Sequence, residues 1–115
     1  MEYGRTIGMK VYTTTKECDF ISVLEQQLKI LKIPIGIKQY NVCGYFIDYY
    51  IPELKLAIEY DENNHRAYSK QNENKRQFEI KESLNCKFIR VNDSLTHVEN
   101  SAIILKLILM EGIYE

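Results

Sequence analysis

Three carboxylates stand close together in the stretch YFIDYYIPELKLAIEYDENNH, which runs from Tyr45 to His65: Asp48, Glu59 and Asp61. The stretch reads as two short strands joined by a turn at Pro52-Glu53, with Asp48 in the first and Glu59 and Asp61 closing the second. Side chains alternate between the faces of a strand, so Glu59 and Asp61 share one face while Leu56, Ile58 and Tyr60 take the other. Antiparallel pairing of the two strands brings Asp48 alongside. Two unit charges about 4 Å apart repel by about 4 kcal/mol at an effective dielectric of ~20. Such a cluster needs a protonated acid, a basic neighbour or a bound divalent cation. Oxygen-only ligands suit a hard ion such as magnesium or manganese, and a cation is the leading expectation. The plainer alternative, acids solvated at strand ends, is disfavoured by their shared face.

The elements that must position these acids follow from periodicity and from start and stop signals. Thr14-Thr15-Lys16-Glu17 fits a capping box, with Thr14 accepting from the helix amides and Glu17 reaching back. Phe20, Val23, Leu24, Leu28 and Leu31 then recur at helical spacing to about Lys32, and Pro34 ends the helix. Ile35 to Tyr40 alternates as a first strand, Asn41 to Gly44 turns, and strands over Tyr45–Ile51 and Leu54–Asp61 follow. Residues 62 to 69 are polar and read as a loop or helix entry. A helix is expected from Lys70 to Leu84 with a thin apolar face of Phe78, Ile80 or Lys81, and Leu84. Asn85 is a left-handed stop. Cys86 to Val91 reads as a fourth strand, and AIILKLILM lies in a last helix from about His97 to Gly112 that should bury most of its circumference. A helix between the third and fourth strands calls for a parallel crossover. Met9 to Thr13 reads as a short strand or an arm.

The expectation is one mixed α/β domain over residues 1–115, with a core from about 14 to 95, a C-terminal helix over about 97–112, and a small four-stranded sheet flanked by helices. No apolar run approaches the ~20 residues of a membrane span, and MEYGRTIGMK lacks the apolar centre of a signal peptide. Cys18, Cys43 and Cys86 are widely spaced without a CxxC pair, which points to free thiols in a reducing cytoplasm rather than a disulfide frame or zinc site. The net charge of -1 excludes a protein that grips long nucleic acid through a general basic excess. The tyrosines at 45, 49, 50, 60 and 68 offer faces for stacking on bases, and read first as core-edge residues. His97, with no partner at metal-ligand spacing, is assigned no function.

The order of elements, with acids on the second and third strands, resembles the PD-(D/E)XK nuclease superfamily, in particular its very-short-patch-repair-endonuclease-like branch and the nuclease-like domains of phage and viral proteins. The residues that carry the resemblance are Glu25-x-x-Leu28-x-x-Leu31, Gln39, Tyr45-x-Ile47-Asp48, Ile58-Glu59-Tyr60-Asp61, His65, Glu73-x-x-Arg76 and Cys86-Lys87-Phe88-Ile89-Arg90, over roughly residues 16 to 95. The chain departs from the superfamily's Glu-x-Lys by holding Asp61 in the lysine position. The branch places a histidine a few residues on, here His65.

The resemblance implies a restriction-endonuclease-like fold and a magnesium-dependent endonuclease acting on DNA, with manganese able to substitute. In that reading Asp48, Glu59 and Asp61 are metal ligands, and His65 and Glu25 complete the catalytic set. Gln39, Lys70 and Arg76 contact substrate, although Arg76 also reads as a residue that orients others through Glu73. A near-neutral domain of this size implies a homodimer or a DNA-reading partner, and no membrane. The missing lysine supports an alternative, a catalytically inactive nuclease-fold module that binds nucleic acid or a protein.

Overall fold

A computed structural model describes residues 14–62 and 70–110 of the chain. Helix α1 spans Thr15–Ile30, followed by strands β1 (Ile37–Val42), β2 (Tyr45–Ile51) and β3 (Leu56–Asp61), helix α2 (Lys70–Leu84), strand β4 (Lys87–Asn92) and helix α3 (His97–Met110). The order α-β-β-β-α-β-α is the one expected from the sequence. The strands form one mixed sheet in the order β1-β2-β3-β4. The first two pairings are antiparallel, and β3 runs parallel to β4 across the α2 crossover.

Each boundary has a local cause. Thr14 caps α1 by accepting from the Glu17 N–H at 3.1 Å. Cys43 and Gly44, with φ of 56° and 80°, make the two-residue turn between β1 and β2, so β1 starts and ends two residues later than its alternation predicts. Pro52–Leu54 forms one 3-10 turn that Lys55 ends in the left-handed region, which delays β3 to Leu56. Asn85 adopts φ 52° and stops α2 as expected.

Alternation sorts the side chains onto two faces. Tyr49, Ile51, Leu56, Ile58, Tyr60, Ile89 and Val91 meet Phe20, Leu24 and Leu28 of α1 and Ile104 and Ile108 of α3. Ile47, Tyr50 and Ala57 meet Ile80 of α2 on the other face. The sheet is therefore covered on both sides. Of the described α2 side chains only Ile80 is buried, and Phe78, expected in that helix's apolar face, is exposed. One buried isoleucine contributes about 1.5–3 kcal/mol, so α2 needs polar attachments as well. The expectation for α3 also fails: Asn100, Ser101, Ile104 and Ile108 are buried, while Val98, Ile103, Leu109 and Met110 face outward.

The tyrosine hydroxyl of Tyr49 lies inside the α1 layer, donating to Glu25 Oε2 at 2.6 Å and accepting from the Gly36 N–H at 2.7 Å. That bond draws the approach to β1 tightly over β2. A Cβ added at Gly36 would stand 2.4 Å from the Tyr50 carbonyl oxygen, a backbone atom that cannot swing away. Gly36→Ala is expected to destabilise the fold by about 1–3 kcal/mol or more, read as a lowered urea midpoint. An unchanged midpoint would mean that the chain passes Tyr50 at a greater distance.

Candidate functional site

The ladder between β2 and β3 holds at Tyr49–Ile58, Tyr50–Ala57 and Ile51–Leu56, then stops before Asp48 and Glu59 come level. Next door, Gln39 has φ 48° between the paired positions Lys38–Tyr49 and Tyr40–Ile47. Ile47 and Tyr50 face α2, whereas Tyr49 faces α1, so the usual alternation slips at Asp48. Its carboxylate bridges the opening and accepts the Tyr60 N–H at Oδ2, 2.8 Å away. The side chain thus satisfies a backbone donor that the parted strands would otherwise leave unpaired.

Around this opening the structure gathers acids from three elements. Glu17 of α1, inside the first helical turn, is buried and accepts from Gln39 Nε2 at Oε2, 2.7 Å away. It does not complete the capping box expected from the sequence. Gln39 lies close enough to Asp48 to hold its carboxyl down somewhat, so one amide stands between the two acids. Glu59 of β3 follows on the α2 side, its side chain 8% exposed. Burial first and the charge of Glu59 second push the Asp48 carboxyl up to about 7. Burial first and the charge of Asp48 second push Glu17 up to about 8, against the hydrogen bond from Gln39. Burial raises Glu59 as well, against the pull of Arg76 and Arg90.

Two arginines stand on the outer side of the cluster. Arg76 of α2 donates to Glu59 Oε2 at 2.8 Å, to Glu73 Oε2 at 3.1 Å and to the Phe46 carbonyl oxygen at 2.8 Å. Arg90 is the parallel-sheet neighbour of Glu59, so both project toward α2. It lies 3.6 Å from Glu59 Oε1 and 3.5 Å from Asp61 Oδ1, and also binds Glu73 and Gln77. The charge of Glu59 is therefore offset by a basic neighbour, one of the three solutions open from the sequence.

Of the residues singled out from the sequence, Asp48, Glu59, Gln39 and Arg76 are brought together. Asp61 shares the Glu59 face, as alternation requires, but sits at the rim with its side chain 54% exposed against Arg90. Glu25 is two helical turns beyond Glu17 and is bound to Tyr49, away from the cluster. His65 and the Lys70 side chain lie outside the described residues, as do Tyr68 and residues 1–13. Among the described residues no three His, Cys, Asp or Glu side chains form a ready-made metal group.

Glu17 was missed because its capping-box position already explained it. The available signal was its place on the helix stripe with Phe20, Ile21, Leu24 and Leu28, an acid on a face that must be buried. Arg90 was legible as the residue between Ile89 and Val91 that must face away from the α1 layer.

Fold and site together define a mixed α/β domain with a buried acid–arginine cluster toward the carboxyl ends of its parallel strands, where open α/β sheets commonly bind ligands. Neither protein-family models nor curated protein sequences give a match to this chain. No helix among the described residues is long and apolar enough to cross a membrane.

Proposed function

We propose that the chain is a divalent-cation-dependent nuclease of restriction-endonuclease-like fold, hydrolysing phosphodiester bonds in DNA at the Glu17–Asp48–Glu59 cluster. The observation that carries this reading is the convergence of three acids from α1, β2 and β3 on the opening between β2 and β3, two of them lifted to about 7 and about 8. Buried carboxyls held so near neutrality release their protons readily to a cation that replaces them. The acids offer carboxylate oxygens, which suit a hard ion. Asp48, Glu17 and Glu59 are the residues to hold magnesium or manganese. A bound ion of this kind supplies an activated water and neutralises charge on a phosphate.

The chain's own side chains divide the remaining work. Gln39 holds Glu17, and the Tyr60 N–H fixes Asp48. Arg76 and Arg90 balance Glu59 and would attract an anionic substrate. DNA as the substrate, and a phage or viral origin, come from the resemblance to the PD-(D/E)XK superfamily. His65 remains the residue proposed in place of that family's lysine, since an imidazole can serve as a general base.

The test is cleavage of supercoiled, linear and branched DNA with magnesium, manganese or EDTA. Asp48→Asn and Glu17→Gln are the informative variants, because they remove charge without volume. We expect metal-dependent cutting that each variant lowers at least about a hundredfold. Normal cutting by Asp48→Asn would refute the site.

A second reading rests on the ion pairing of Glu59. Arg76 meets one of its carboxylate oxygens and Arg90 approaches the other, so this acid is charge-balanced without a cation. That arrangement suits a nuclease-fold module that binds nucleic acid or protein without cutting. Absence of cation binding by calorimetry, in a folded protein, selects it.

A further inference from the structure

Helix α3 leaves one broad face without a partner among the described residues. Val98, Leu109 and Met110 are 60%, 57% and 72% exposed, and Ile103 is 40% exposed. On a helical projection Val98, Ala102 and Leu109 form one row, with Leu105 at its inner edge packed against the core. Ile103 and Met110 form a second row. Between the rows lie Glu99 and Lys106, two turns or about 10 Å apart along the axis, too far to pair with each other. Neither makes an ion pair among the described residues. Glu99 caps its own helix, accepting from the Thr96 N–H at 3.0 Å.

The pattern is self-complementary in one orientation. Turning a second α3 antiparallel about a two-fold axis near Ala102 and Ile103 sets Glu99 of each copy against Lys106 of the other. The same operation sets Val98 against Leu109. Ala102, small and near the axis, lets the two backbones approach closely. A parallel pairing would instead set Glu99 against Glu99. The exposed apolar side chains offer on the order of 400 Å² per copy, about the apolar share of the ~800 Å² that each partner buries in a standard interface.

We propose that a second copy of this chain docks on this face, giving an antiparallel α3–α3 homodimer with two Glu99–Lys106 pairs across the axis. The proposal does not depend on the nuclease reading.

Sedimentation equilibrium on the full chain tests it. The wild type should be dimeric at micromolar concentration, and Leu109→Glu should be monomeric with an unchanged far-UV spectrum, since the position is exposed. Lys106→Glu alone and Glu99→Lys alone each oppose like charges twice, and each should weaken the dimer at least about tenfold. Mixing those two variants restores both pairs and should give a one-to-one heterodimer. A monomeric wild type, a dimer that survives Leu109→Glu, or a mixture that stays monomeric overturns the proposal.

Discussion

Arg76→Met is expected to destabilise the protein by about 3–5 kcal/mol at pH 7, the range for breaking a buried ion pair by removing one partner. Arg76 is 18% exposed and Glu59 8%, so neither charge has water to fall back on. The substitution keeps much of the side-chain volume and removes three attachments at once, to Glu59, Glu73 and the Phe46 carbonyl oxygen. Those attachments matter for α2 because Ile80 is its only buried side chain among those described. Chemical unfolding measures the loss. Its dependence on pH identifies the cause: with only Arg90 left beside it, the Glu59 carboxyl rises further above its unfolded value, so the variant takes up a proton on folding. The deficit should therefore shrink as pH falls through that raised pKa toward 4, and Arg76→Met/Glu59→Gln should recover a large part of it. A deficit that is the same at pH 5 and pH 8 would mean that lost packing, not an orphaned charge, is responsible.

Asp48 and Glu59 were legible because a period of two and a short turn suffice to place acids on neighbouring strands. The α2 limits were legible for a similar reason, since Asn85 ends a polar, helix-favouring run in the left-handed conformation expected of it. What stayed hidden depended on non-local geometry. The slip at Gln39 that aims Asp48 into the opening leaves no periodic trace, because glutamine is not a residue that announces a positive φ. Glu17 and Glu25 both sit on α1 and differ by two turns; which of them meets the strands depends on where the helix starts along the sheet. Contact between Lys16 and Asp93, at 2.9 Å, shows that the N-terminal turn lies beside the β4–α3 connection, which places Glu17 by the acids. The outward face of α3 misled in the opposite sense, since an apolar helix in a single sequence does not say whether its partner is the same chain or another copy.

Stability without divalent cation is expected to fall as pH rises from about 4 to 8, the reverse of the usual behaviour of paired carboxylates. Asp48 and Glu17 bind protons more tightly folded than unfolded, with folded values of about 7 and about 8 against unfolded values near 4. Where the native state holds more protons than the unfolded state, stability decreases with pH. The penalty is absent below about pH 4, grows through the window between, and is complete above about pH 8. For Asp48 alone it is on the order of 4 kcal/mol; Glu17 adds to it in the same direction. Asp48→Asn should flatten most of the slope and make the cation-free protein more stable than wild type at pH 8. Magnesium or manganese, bound as proposed, would displace the same protons. At pH 8 a cation at a hundred times its dissociation constant should return about 2.7 kcal/mol to the wild type. It should return little at pH 5, where protons hold the site, and nothing to Asp48→Asn. A steep slope that magnesium and manganese leave untouched would keep the buried acids but remove the metal, and with it the nuclease reading. The cluster would then be a polar latch between β2, β3 and α2, opened by alkali.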